Sequence, residues 1–419
     1  MRILSLVPRF SALALAACVA LTLTACDSSG PPVAEEDETP LEGMQRRLLV
    51  ADAEAASLHV LDADDGQNVG TVALAGPAYR FMPVEESGRY AFVNPRNGPL
   101  QTIDAGIYVE DDRVVEQGPA LHPFEVPGER LIHVTYAQHT VAAWDDGTGK
   151  AHFFDARELV DGGTPSVTTV ASGIAHHGVA VSLGSDMALL TKPTEGEVLP
   201  IGVSVHSMPS GNEITSFEGC PGLHGKGHAA GDVVGFGCSD GMLVVERQGS
   251  NATSIKVPNP DDLAEGSRTG TVYGHESAPY LVAHFSDPDR NNIGPYVYEP
   301  QSDSFTRMEI PGPSPSFGYA FSPEAREFLA LSEDGTLHVF DGETRAHLGS
   351  VPGVTSADGE GQIAAGAHFA YVSDPAEKKI TEVRLDTREI TRTWTLNFAP
   401  SAMRLAGTDE PLESAGPAS

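Results

Sequence analysis

The chain has 419 residues, 40% of them hydrophobic, and its 58 acidic side chains outnumber 26 basic ones for a formal net charge of -32. A surface of that sign repels phosphate backbones and anionic headgroups, so nucleic acid and direct docking on a lipid surface are excluded as partners. The acidity attracts cations loosely, fits a salt-adapted organism equally well, and selects no particular metal.

In chain order, Arg2 and Arg9 flank an otherwise uncharged start, and an apolar run from Ser11 to Ala25 follows. That run is too short to span a bilayer comfortably and has the length of a secretory h-region. It ends in "LTAC", Leu23 to Cys26, which resembles a bacterial lipobox. Residues 1–25 are therefore expected to be a lipoprotein signal peptide, cut before Cys26, whose thiol would carry lipid; a plain signal peptide with an incidental cysteine is the alternative. The expected location is the periplasm, with membrane contact only through the lipid. Asp27, beside the lipidated position, resembles the signal that retains lipoproteins on the inner membrane. Removing residues 1–25 takes away two arginines and no acids, moving the charge from -32 to -34. Residues 26–45, "CDSSGPPVAEEDETPLEGMQ", read as a flexible acidic tether.

From residue 46 onward the sequence is a series of short alternating runs rich in Val, Phe, Thr and Tyr, broken by Gly, Asp and Pro, an all-β signature. A repeat lies beneath it. "LLVADAEAASLHVLDADDG" from Leu48, "FLALSEDGTLHVFDGETR" from Phe328 and "FAYVSDPAEKKITEVRLDTRE" from Phe369 share one form: an apolar strand, an acidic turn, a second strand, then Asp and a turn. Aligning the residue that closes the second strand gives Asp62, Asp104, Asp155, Ser207, Glu246, Glu299, Asp341 and Asp386, spaced 39 to 53 residues apart. That is the span of a four-stranded propeller blade. Residues 46–407 are thus predicted to form an eight-bladed β-propeller; Ser207 departs most from the pattern, so seven blades is the alternative. The first repeat lacks an innermost strand, and "APSAMRLAG" from Ala399 is a strand without a blade. Pairing the two closes the ring and removes exposed edges. Residues 408–419 are expected to be a disordered tail.

Of four cysteines, Cys18 leaves with the signal and Cys26 takes lipid. Cys220 and Cys238 remain, in "GCPGLHGKGHAAGDVVGFGC". The spacing alone admits a zinc site, a redox pair or a disulfide; an even pair in an oxidising envelope favours the disulfide. Cys220 precedes the inner strand of its blade and Cys238 ends the neighbouring antiparallel strand, so the two fall on the same rim. Innermost strands begin at the rim of the central channel. "LIHV" with His133, "AHHGVAV" with His176 and His177, and "GLHG" with His224 place histidine at equivalent starts in the third, fourth and fifth blades. Equivalent positions on a ring point to one axis, and three imidazoles plus a fourth ligand give a tetrahedral zinc site. The fourth ligand is sought in "LHPFEVPG", before the third blade, which offers Glu125 and His122, of which His122 is preferred. His228 reads as a ligand or a solvated loop residue. His139 sits at the far end of its strand, His275 and Glu276 stay open, and His59, His338 and His347 fall in outer-strand patterns.

"GERLIHVTYAQHTVAAWDDGTGKAHFFD", "HHGVAVSLG" and "CPGLHGKGHAAGDVVGFGCSDGMLV" resemble the corresponding segments of the AztD-type periplasmic zinc metallochaperone family. The resemblance implies a zinc carrier that passes its ion to the solute-binding protein of a zinc ABC importer. His133, His177 and His224 match the family's histidine positions, and His139 matches another. Members often carry a His-rich segment near the mature N-terminus, whereas this tether has no histidine between Cys26 and His59. The lipobox is also unusual beside soluble relatives, and points to action at the membrane surface.

Two other classes compete. A propeller lactonase or lyase would hold a hard cation with carboxylate and amide oxygens, whereas an imidazole-rich rim selects zinc or copper. No Gly-x-Ser-x-Gly elbow or Ser/His/Asp context supports hydrolytic catalysis, so the chain reads as a monomeric carrier rather than an enzyme. A lipoprotein assembly scaffold would need no metal.

Overall fold

The computed structural model describes residues 45–408 apart from 85–87, 111–112, 160–162, 197–198, 313–315 and 358–360. The signal peptide, Cys26, Asp27, the tether up to residue 44 and the tail from 409 lie outside the described residues. Eight four-stranded antiparallel sheets form the ring, each with its strands in order from channel to perimeter. The innermost strands of blades 2 to 5 are Ala78–Val84, Leu131–Ala137, Ala180–Leu183 and Lys226–Ala229. Those of blades 6 to 8 are Arg268–Tyr273, Ser316–Phe321 and Ile363–Ala365. Blade 1 takes its innermost strand from the C-terminus: Pro400–Thr408 pairs with Gln45–Asp52, from Gln45 opposite Thr408 to Asp52 opposite Pro400. The ring therefore has eight blades and the expected closure. Among the described residues, no helix is long and apolar enough to cross a membrane.

The strand types follow from position. Second strands such as Tyr90–Pro95, Val233–Cys238 and Phe369–Asp374 are buried on both faces, and each opens in sequence on an apolar run. Fourth strands such as Glu389–Thr395 are mostly exposed. Most of the core lies between neighbouring blades. Ala142, Trp144 and Phe153 of blade 3 pack on Ala180, Ala188 and Leu190 of blade 4. Val181, Leu189 and Val205 of blade 4 pack on Val234, Phe236 and Val245 of blade 5. Each such large side chain contributes roughly 1.5–3 kcal/mol by burial, and together they hold blades 3, 4 and 5 at a fixed angle about the axis.

The recurring acid has a local role. Asp62, Asp104, Asp155, Asp341 and Asp386 each accept a backbone N–H from one to three residues ahead, at 2.6–2.9 Å. A carboxylate bonding just ahead along the chain is the short-range pattern that favours a turn. The turn after Ser207 keeps the backbone bond of the others, Ser207 N donating to Asn212 O at 2.9 Å as Asp62 N does to Gln67 O at 2.8 Å, so the weakest repeat is still a blade. Two anchors are displaced: Glu246 lies inside its strand, Gly241–Gln248, and Asp386 follows Lys379–Arg384 by two residues. Blade 2 also carries an inserted hairpin, Ile107–Glu110 with Arg113–Glu116. It delays the fourth strand of that blade to Ala120–Val126.

Candidate metal centre

His133 lies in the inner strand of blade 3, where the pairing slips between Leu131 and His133. An irregularity of this kind re-aims the side chain that follows it. His177 and His224 lie in the loops that lead into the inner strands of blades 4 and 5. Gly178 lets the first loop press inward, because a Cβ there would sit 2.2 Å from Thr191 Oγ1 and 2.9 Å from the Trp144 ring. Gly225, at φ +71°, does the same for the second: a Cβ there would lie 2.6 Å from Gly270 O. The Cys220–Cys238 disulfide holds the base of that second loop, with an S–S distance of 2.04 Å and both residues fully buried. Its sulfurs are bonded to each other, so neither is a thiolate ligand, and the cross-link contributes on the order of 3 kcal/mol.

The three half-buried imidazoles converge. One nitrogen from each of His133, His177 and His224 lies within 4.8 Å of the other two. The ring centroids are 5.0, 5.5 and 5.9 Å apart. His133 Nε2 and His177 Nε2 are 3.4 Å apart, close to the ~3.3 Å edge of a tetrahedron with zinc–nitrogen bonds near 2.0–2.1 Å. The outer nitrogens fix two tautomers. His177 Nδ1 lies 2.7 Å from Asp146 Oδ2, and His224 Nδ1 lies 2.7 Å from Gly270 O. Both oxygens can only accept, so each Nδ1 carries a hydrogen, and in the neutral ring each Nε2 presents a lone pair. Three imidazole nitrogens suit zinc or copper better than a hard cation.

The other predicted residues stand elsewhere. His176 turns away from its neighbour: Nδ1 donates to Ile174 O at 2.8 Å, Nε2 meets Thr191 Oγ1 at 2.9 Å, and the ring lies edge-on to Trp144. Both nitrogens are engaged, and burial lowers its pKa. His122 is not on the rim. It belongs to the perimeter strand Ala120–Val126, opposite Thr102, where its Nδ1 accepts from Phe124 N at 3.1 Å and its ring meets Tyr90 edge-on. Exposed Glu125 is on the same strand, opposite Gln101. His228 is not in a loop and does not join the trio; it is buried in the inner strand of blade 5, 4% exposed, with no hydrogen bond to either ring nitrogen among the described residues. His139 occupies the turn at the opposite end of its strand, at φ 66°. The same turn reaches across that end of the channel: Gln138 N donates to Glu276 Oε2 at 2.7 Å, and Gln138 Nε2 donates to Asp232. His275 Nδ1 accepts from Ser277 N at 3.1 Å. His59 stacks on Phe398, and His338 and His347 bond to serines of their own blade.

Asp146 is the residue that sequence reasoning missed. The signal was available in "WDDGTG": Asp145 already serves as the turn acid, which leaves the second carboxylate without a role in the repeat.

No family model matches the chain. It is 29% identical over 365 residues to the zinc chaperone AztD of Citrobacter koseri, covering 84% of this chain and 82% of that protein. Two solved structures of Citrobacter koseri AztD superpose with a TM-score of 0.75. The apo form is 25% identical and covers 88% of this chain and 99% of its own; the other is 26% identical, with 87% and 98% covered. Along most of the propeller, in sequence and in fold, the chain thus resembles AztD, and the family resemblance read from its histidine and cysteine segments is borne out.

Proposed function

We propose that this chain is a zinc carrier of the cell envelope, holding one ion at His133, His177 and His224 and passing it to the solute-binding protein of a zinc ABC importer. The observation that carries this reading is the convergence of three ligand nitrogens from three successive blades within 4.8 Å, in a chain similar to a protein named a zinc chaperone. Three neutral imidazoles hold the ion without satisfying it. The fourth position is left to water or to a ligand of the receiving protein, so the ion can be handed over by exchange rather than by unfolding the site. Binding weakens in acid, because ligation requires the deprotonated ring. The chain acts as a monomer and not as an enzyme.

Zinc titration of His133→Ala, His177→Ala and His224→Ala tests the site, with exposed His347→Ala as control. Each of the three is expected to bind roughly tenfold more weakly or worse, the low end of what lost metal-site support costs, while the control binds like the parent. If all four bind alike, the zinc is held elsewhere. The "LTAC" lipobox motivates the rest of the proposal: the protein works in the periplasm, anchored by lipid on Cys26 and kept at the inner membrane by Asp27. Cys26→Ala should move it from the membrane fraction to the soluble fraction, since the acyl chains supply the apolar burial that holds it. A variant that still sediments with membranes would remove the anchor from the proposal.

A further inference from the structure

We propose that Asp146 is a positioning residue of the metal centre, holding His177 with its Nε2 lone pair on the point it shares with His133 and His224. The inference rests on the zinc-site reading above. The carboxylate is almost wholly enclosed, at 2% side-chain exposure beside a His177 at 29%. It grips the loop twice: Oδ2 accepts from His177 Nδ1 at 2.7 Å, and Oδ1 accepts a long bond from Gly178 N at 3.4 Å. The side chain and backbone of the ligand-bearing loop are thus tied to blade 3, the blade that supplies His133. Arg130 Nε, 4.0 Å from Oδ2 on a side chain 60% exposed, is too distant and too hydrated to be its main partner.

The neighbouring acid shows that this carboxylate is not needed for the turn. Asp145 accepts from Glu129 N, Arg130 N, Gly147 N and Thr148 Oγ1, at 2.8–3.0 Å. The turn is satisfied by one acid, and the chain buries a second against a histidine. Burying a carboxylate costs free energy unless a charge-assisted hydrogen bond offsets it. A carboxylate on the outer nitrogen of a ligating imidazole fixes its tautomer and orientation and raises its basicity, and loss of such partners typically weakens metal affinity 10–100-fold. His224 is held by a neutral acceptor, Gly270 O, so the two ligands are oriented by groups of different strength.

The test compares Asp146→Ala, Asp146→Asn and His177→Ala with the parent, by competitive zinc titration and by the visible absorption of the cobalt-loaded proteins. Asp146→Ala should bind zinc 10–100-fold more weakly, with a weakened and shifted cobalt band, while the thermal midpoint of the zinc-free protein stays near the parent's. Asp146→Asn should recover part of the affinity, because its amide oxygen still accepts the Nδ1 hydrogen. If Asp146→Ala matches the parent in affinity and cobalt spectrum while His177→Ala loses zinc, the positioning role is wrong and the histidine site stands. If His177→Ala also binds like the parent, both readings fall.

Discussion

Glu382→Ala is expected to cost the fold about 3–5 kcal/mol, the usual cost of leaving one partner of a buried ion pair uncompensated. Glu382 is fully enclosed in blade 8, and Arg46, 2% exposed, approaches it from blade 1 with Nη1 3.5 Å from Oε2. Arg46 also donates to Tyr371 Oη at 2.9 Å and Asp64 Oδ1 at 2.6 Å, and its guanidinium lies 4.4 Å from the centre of the Phe369 ring. Thr391 Oγ1 donates to the other Glu382 oxygen at 2.6 Å. Desolvation opposes the charge on Arg46, but Tyr371, Asp64 and Glu382 outweigh it and its pKa is raised. Removing Glu382 leaves a buried cation whose remaining carboxylate, Asp64, is 62% exposed. Replacing both partners, Arg46→Met with Glu382→Leu, removes the desolvation cost on each side and should be close to neutral. Urea unfolding of the two variants distinguishes the cases. A loss below about 1 kcal/mol for Glu382→Ala, the size of an exposed pair, would mean the seam between first and last blades is solvated.

The zinc-free protein should lose on the order of 3 kcal/mol through His228 alone as pH falls from 6.5 to about 4. Burial pushes the His228 imidazole down to about 4, helped by Lys226 on the same strand and only partly opposed by Asp232 and Glu276. The sign follows from where protons bind. Between the two values the unfolded chain takes up a proton that the folded chain refuses, so stability is full above pH 6.5, falls as pH drops, and levels off below about 4. His284 is also pushed to about 4 by burial, so part of the acid sensitivity belongs to it. His228→Leu removes a ring whose nitrogens have no hydrogen bond to lose. Its urea stability, measured at steps from pH 7.5 to 4, should fall less steeply than the parent's. Equal slopes would mean that His228 is protonated in the folded state without penalty.

The ring was legible because a propeller repeats one solution. Every blade must end its third strand in a turn, and Asp62, Asp104, Asp155 and Asp341 solve it in the same way, which leaves a mark in the sequence at blade spacing. The histidine trio was legible for a related reason: equivalent starts of neighbouring inner strands face one axis. What failed was local. His122 was read as a rim residue because nothing in the repeat announces the hairpin at Ile107–Glu116, which pushes the fourth strand of blade 2 to where a loop was expected. Adjacent His176 and His177 look alike in sequence, but Trp144 and Thr191 take up the first, and only the second faces the axis. His228 follows His224 closely, yet the strand starts between them at Lys226, and its side chain is buried between sheets. Asp146 was hidden by its neighbour, since one turn acid satisfies the repeat and the second is informative only once the fold places it beside His177.

Blade 1 joins the two ends of the described chain in one sheet: Ser401 Oγ donates to Ala51 O at 3.2 Å, across 350 positions of sequence. Export of the chain from its N-terminus presents Gln45–Asp52 before Pro400–Thr408, so the edge of the first blade stays open until the last strand arrives. An open edge is a template for pairing with the wrong chain, and contacts of such long sequence separation form slowly. Ring closure is therefore expected late in folding, with the edge of blade 1 open until then. The same topology frees the position of the ends, because a chain cut at a turn between other blades and joined through blade 1 would trace the same circle.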